Sequence, residues 1–139
     1  MYDVAVCIPT HQRPEMLKKT ILSISQSNLT GSNIRKIDII VVDNDAAGSA
    51  EKAVGELVDD IPEIYQLKYS IFPQKGLTNV RNELLRKALQ LNPTHVVFID
   101  DDEYASKDWL KELLGTLKRT NSDMAMGRII SVFNHEVPT

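Results

Sequence analysis

A chain of 139 residues with 42% hydrophobic and 25% charged residues has the balance of one globular domain and can bury a sizeable core. Its net charge of −3 provides no global basic field, which argues against a nucleic-acid partner held by phosphate neutralisation. The lone Cys7 excludes an internal disulfide framework, and no apolar run approaches the roughly 20 residues of a membrane span, so a cytoplasmic domain is expected with Cys7 packed as a small hydrophobe.

The first apolar run, Val4-Ala5-Val6-Cys7-Ile8, reads as a strand halted by Pro9, which cannot donate to a ladder. After Thr10-His11-Gln12-Arg13, Pro14 suits the first turn of a helix, and Leu17, Ile21 and Ile24 recur at helical spacing. Residues 28–33 read as loop. The β-branched run Ile37-Asp38-Ile39-Ile40-Val41-Val42 is a second strand, covered on both faces, and it ends in Asp43-Asn44-Asp45. Gly48-Ser49 opens a short helix carrying Ala53, Val54 and Leu57, closed before Pro62.

Leu67 to Ile71 alternates apolar and polar residues, as an edge strand does. Beyond the loop Phe72-Pro73-Gln74-Lys75-Gly76, the residues Leu77, Val80, Leu84, Ala88 and Leu91 mark the clearest amphipathic helix, ending before Pro93. Val96-Val97-Phe98-Ile99 then reads as a buried strand that delivers Asp100, Asp101, Asp102 and Glu103 at its carboxyl end. Ser106 is expected to cap a following helix whose buried face carries Leu110, Leu113, Leu114 and Leu117. Met124 to Val132 is a last apolar run, and the chain is expected to be cut rather than completed at Thr139. Alternating strands and helices predict an α/β, Rossmann-like single domain over residues 1–139, its mostly parallel sheet covered by helices on both faces.

In such a sheet ligands bind at the carboxyl edge of the strands, where the loops 9–13, 43–48, 72–76 and 100–104 meet. Like charges as close as those of 100–103 disfavour joint ionisation unless a cation or a set of donors neutralises them. A hard cation, Mg²⁺ or Mn²⁺, takes one or two carboxylates together with substrate phosphates, and Asp102 flanked by Asp100 fits that need. Asp43 and Asp45 repeat the same spacing after the second strand. The bland alternative is that Asp and Asn favour turns. His11, His95 and His135 lack ligand spacing, which leaves zinc without a site. Gly-rich phosphate loops and a Gly-x-Ser-x-Gly elbow are absent from the sequence.

The ordered blocks Ile8-Pro9-Thr10-x-x-Arg13-Pro14, Val41-Val42-Asp43-Asn44-Asp45, Gly76-x-x-x-x-Arg81-Asn82 and Phe98-Ile99-Asp100-Asp101-Asp102-Glu103 run nearly the length of the chain. Together they resemble the amino-terminal half of family-two inverting glycosyltransferases with the GT-A fold. The resemblance implies a nucleotide-sugar donor, with UDP as the expected nucleotide, and a saccharide or lipid-linked acceptor. It further implies that Pro9, Thr10 and Arg13 line a nucleoside pocket, that Asp43 hydrogen-bonds the base with Asp45 beside it, and that Gly76 and Arg81 lie near base and phosphates. Asp101 would face the ribose, and Asp102 with Asp100 would hold Mn²⁺ or Mg²⁺ on the diphosphate. The general base for an inverting transfer would lie beyond Thr139, so the chain alone is expected not to transfer sugar, and any membrane association would come from regions outside it. Asp43→Ala is expected to weaken nucleotide binding and spare stability.

Gln74-Lys75 before Gly76 and the missing Gly-Ser after Asp43-Asn44-Asp45 depart from the family's commonest pattern and bear on donor identity. Two other readings stay open. A metal-dependent phosphohydrolase with an aspartyl nucleophile would also place Asp-x-Asp after a strand, and a non-catalytic nucleotide-binding module would keep the pocket without turnover.

Overall fold

The structure, a computed structural model, describes residues 1–125. Strands and helices alternate in the order β1 (Tyr2–Thr10), α1 (Pro14–Ser25), β2 (Ile34–Asp43), α2 (Glu51–Leu57), β3 (Tyr65–Ile71), α3 (Leu77–Gln90), β4 (His95–Phe98) and α4 (Trp109–Thr120). Among the described residues the strands form one sheet in the order β3-β2-β1-β4, parallel throughout. The chain steps outward from β1 to β2 to β3, then returns over the sheet to lay β4 on the other side of β1. That reversal makes the carboxyl ends of β1 and β4 a topological switch point, the place where open α/β sheets leave a crevice.

The two faces of the sheet are divided by side-chain parity. Val4, Val6 and Ile8 of β1 and Ile37, Ile39 and Val41 of β2 meet α1, α2 and α4 through Leu17, Ile21, Ile24, Val54, Leu57, Leu110 and Leu114. The alternate residues Ala5, Cys7, Ile40 and Val42 meet α3 through Val80, Leu84 and Ala88. Small residues on β1 at this second face let the helix come close, and Cys7 Sγ lies 3.9 Å from the Leu84 carbonyl oxygen. Burial pushes the Cys7 thiol up to about 12, so it packs as an inert hydrophobe.

Several boundaries differ from the sequence expectation. Pro9 does not end β1, which continues to Thr10. Cys7 turns its carbonyl to the β4 side, where Ile99 N–H donates to it at 3.1 Å, and Thr10 turns its own to Asn44 on the β2 side at 2.9 Å. Alternation therefore aims the Pro9 nitrogen to the β4 side, beyond the last β4 pair Cys7–Phe98, where no ladder bond is lost. α2 begins at Glu51 because Gly48, at φ +65, closes a turn first. Asp108, not Ser106, occupies the N-cap position of α4, since Trp109 N–H bonds back to the Ser106 carbonyl at 3.1 Å and turns the chain before the helix starts. β4 is not the buried strand its composition suggests: it is an edge of the described sheet, and Phe98 is 43% exposed. β3 lies at the opposite edge, as its alternation indicates. Most of the apolar run Met124 to Val132 lies outside the described residues.

Candidate functional site

At the switch point the ends of β1, β2 and β4 and the first turn of α3 enclose a cavity of about 410 Å³. Its walls are Pro9, Thr10, His11, Arg13, Asn44, Leu77, Val80, Asp100, Asp101 and Asp102. Six of these, Pro9, Thr10, Arg13, Asp100, Asp101 and Asp102, are site residues expected from the sequence, and they come from the end of β1 and its following turn and from the turn after β4, some ninety positions apart.

The acidic turn after β4 divides its labour. Asp101 is buried, 6% exposed, and its carboxylate accepts from Thr10 Oγ1 at 2.9 Å and from the Arg13 guanidinium at 3.3 Å. Burial pushes its carboxyl above the usual carboxylate range, against the opposing pull of the Thr10 hydrogen bond and the Arg13 charge. Asp100 and Asp102 instead keep half-exposed side chains. Arg81 reaches Asp100 Oδ1 at 3.4 Å and Arg13 reaches Asp102 Oδ2 at 3.5 Å. Two guanidinium groups thus supply the neutralisation that adjacent carboxylates require. Glu103 folds inward, its Oε1 accepting the Asp100 N–H at 2.8 Å, which closes the turn on itself.

Arg81 stands beside the cavity through its Asp100 contact. Gly76 sits outside the wall at the N-cap of α3, with φ +115 and ψ +131, a backbone conformation open in practice to glycine alone. It turns the chain so that Leu77 and Val80 face the cavity.

Asp43 takes a different task from the expected one. It is fully buried, and Oδ1 accepts Asp45 N–H at 3.0 Å while Oδ2 accepts Ala50 N–H at 3.0 Å and the Tyr69 hydroxyl at 2.6 Å. With no exposed surface and no place in the cavity wall, it does not face a nucleobase, and its loss is expected to cost stability rather than spare it. The same burial denies a phosphohydrolase its aspartyl nucleophile at this position. Asp45 also stands outside the wall, its Oδ1 accepting Ala47 N–H at 3.0 Å, and hydrogen bonding from Ser49 and Ala47 holds its carboxyl below the usual range.

Asn44, which sequence reasoning passed over, is the member of that turn that reaches the cavity. Its amide donates to the Phe72 and Gln74 carbonyls, each at 2.8 Å, so the loop before α3 is pinned to the end of β2 and Oδ1 stays available. His11 was also missed, although both lie inside loops that the sequence marks as polar strand ends.

The donor set suits a hard cation. Asp100 and Asp102 offer carboxylate oxygens, and no third acidic, imidazole or thiolate group converges on them among the described residues. A Mg²⁺ or Mn²⁺ ion accepts that arrangement when phosphate oxygens and water complete its shell. A cavity bordered by two half-exposed carboxylates and two guanidinium groups can therefore take a diphosphate together with its counter-cation.

The family model for Glycosyl transferase family 2 matches residues 5–139. The chain is 31% identical over 136 residues to the succinoglycan biosynthesis protein ExoM of Rhizobium meliloti (strain 1021), covering 98% of this chain and 41% of that protein. It superimposes on S. aureus TarS 1-349 in complex with UDP-GlcNAc with a TM-score of 0.75 and 20% identity, over 99% of this chain and 37% of that one. The mannosyltransferase PcManGT from Pyrobaculum calidifontis, solved with GDP-Man and Mn2+, matches with a TM-score of 0.68 and 21% identity over 82% of this chain and 32% of that one. The chain thus spans well under half of the relatives it matches, and the solved structures share its fold. With the family model covering all but its first residues, this chain belongs to glycosyl transferase family 2.

Proposed function

We propose that this chain is the donor-binding part of an inverting glycosyltransferase that takes a nucleoside diphosphate sugar, with UDP as the first nucleotide to test, and passes the sugar to a saccharide or lipid-linked acceptor in the cytoplasm. The observation that carries the reading is the cavity at the switch point, where Arg13 and Arg81 face Asp102 and Asp100. The relatives support it: TarS was solved with UDP-GlcNAc, PcManGT with GDP-Man and Mn2+, and ExoM is a succinoglycan biosynthesis protein.

The residues divide by chemistry. Pro9, Leu77 and Val80 give an apolar wall suited to a nucleoside, and Asn44 Oδ1 offers an acceptor to a base N–H. Asp100 and Asp102 would hold the cation, and the guanidinium groups of Arg13 and Arg81 are placed to bind phosphate oxygens. Breaking the anomeric C–O bond leaves negative charge on the nucleoside diphosphate, and a bound divalent cation supplies Lewis-acid stabilisation of that charge. Arg13 and Arg81 orient the same leaving group and add positive charge beside it.

Titration calorimetry of the chain with UDP, and with GDP, in Mn²⁺ and then in chelator tests the reading. At least one nucleotide should bind ten times or more tightly with Mn²⁺. Equal affinity in both conditions would remove the metal from the proposal, and binding of neither nucleotide would remove the donor site.

A further inference from the structure

Two hydroxyl groups on α1 hold the acidic turn from the side opposite the cavity. Thr20 is fully buried, and its Oγ1 lies 2.7 Å from the Glu103 carbonyl oxygen, 3.0 Å from that of Asp101 and 3.2 Å from that of Met16. A helical threonine ordinarily bonds its own carbonyl four residues back. Here that contact, to Met16, is the longest of the three, so the hydroxyl is turned to the loop. One turn further along the same side, Ser23 Oγ donates to the Thr20 carbonyl at 2.7 Å and accepts the Ala105 N–H at 2.9 Å.

The loop is thereby fastened at alternate positions. The single Thr20 hydroxyl proton is directed to the nearer Glu103 carbonyl with the Asp101 carbonyl sharing it at longer range, the Ala105 N–H is tied to Ser23, and Asp101 is tied again through its side chain to Thr10. Asp100 and Asp102, the residues between and beside those ties, point outward with half-exposed carboxylates.

We propose that Thr20 and Ser23 are positioning residues that fix where Asp100 and Asp102 present their carboxylates to a cation-bound diphosphate. This rests on the donor-site reading above. Outer partners that orient acidic ligands commonly change metal affinity by roughly 10- to 100-fold when removed.

The experiment compares wild-type chain with Thr20→Val, Thr20→Ser and Ser23→Ala. Affinity for UDP and GDP is measured in Mn²⁺ and in chelator, and amide hydrogen exchange is followed at Ala105. Thr20→Val keeps the shape and removes the hydroxyl, so nucleotide affinity in Mn²⁺ should fall roughly 10- to 100-fold, with little change in chelator. Exchange at Ala105 should quicken, most in Ser23→Ala. Thr20→Ser, which restores the hydroxyl, should recover most of the Mn²⁺-dependent affinity, a rescue that a packing defect would not show. Wild-type Mn²⁺-dependent affinity in Thr20→Val would overturn the assignment while leaving the donor site intact. Absence of Mn²⁺ dependence in the wild type would instead overturn the cation reading, and this assignment with it.

Discussion

The Tyr69 hydroxyl donates to Asp43 Oδ2 at 2.6 Å, joining the end of β3 to the end of β2 across the turn that Gly48 makes possible. Gly48 has φ +65, and a Cβ there would come within 2.8 Å of Ile71 Cδ1 and 3.3 Å of the Tyr69 hydroxyl. Burial, and then the hydrogen bond to Asp43, push the Tyr69 phenol well above its usual range, so it remains a donor throughout the physiological range. Asp43, Tyr69 and Gly48 therefore build the turn that presents Asn44.

Removal of that carboxylate should unfold the turn from within. Asp43→Ala leaves the Ala50 and Asp45 amides and the Tyr69 hydroxyl without their acceptor, and unsatisfied groups of this kind together cost about 3 kcal/mol, a fall in Tm of roughly 10 °C. Tyr69→Phe, which removes one donor and leaves the amides paired, should cost about 1–2 kcal/mol. Chemical denaturation measures both. A stable Asp43→Ala chain that loses only nucleotide affinity would restore Asp43 to the ligand pocket.

Gly76 supplies a second backbone test. At φ +115 any side chain is strained, and a Cβ there would meet Asn79 Nδ2 at 3.3 Å. Gly76→Ala should cost about 1–3 kcal/mol. Because α3 begins at the next residue, the strain should also displace Leu77 and Arg81 and weaken nucleotide binding. An unchanged melting curve would show that the loop adopts another conformation at no cost.

The strands were legible because their β-branched runs are long and bounded by polar residues, and α3 was legible from its apolar stripe. The site was harder to read at the end of β2. Asp43 was expected to face the ligand edge, but strand parity places it with Ile37, Ile39 and Val41 on the face packed against α1 and α2, and Asp45 lies past the end of the strand. Asn44 follows Val42 to the α3 side and so reaches the cavity. An Asp-x-Asp pair looks the same in sequence whether it faces a ligand or a helix, and only the packing of the preceding strand decides. The exposure of β4 was illegible for a related reason: its apolar composition says nothing of what covers its outer edge.

Arg81 and Asp100 give a prediction opposite in kind to Asp43. Both side chains are about half exposed at a 3.4 Å contact, and such pairs contribute no more than about 0–1 kcal/mol once solvent screening is counted. Arg81→Gln should therefore leave thermal stability within roughly 0.5 kcal/mol while weakening nucleotide binding about tenfold through the lost charge-assisted hydrogen bond. It should also make Mn²⁺ alone bind more tightly, since Asp100 no longer has a resident counter-charge. Unchanged nucleotide affinity would place Arg81 outside the site and leave it a surface ion pair.

Asp101 gives stability a pH dependence of unusual sign for a carboxylate. Its folded-state pKa is raised, with burial the largest cause, so the folded chain holds the proton to a higher pH than the unfolded chain does. Across the window from the unfolded carboxylate value near 3.8 up to the raised folded value, the unfolded state binds fewer protons, and this group's contribution to stability falls as pH rises. Most carboxylates here with resolved shifts, among them Asp3, Asp45, Glu56 and Glu83, are lowered and push the other way. The total curve will hide Asp101, but a difference will not. Asp101→Asn keeps an acceptor for Thr10 and cannot ionise, so its stability relative to wild type should increase with pH across that window and level off above it. Denaturation curves for the two chains at matched pH and ionic strength measure that difference. A variant stability that instead falls relative to wild type as pH rises would mean that Thr10 and Arg13 outweigh burial, and that Asp101 is a charge the fold favours.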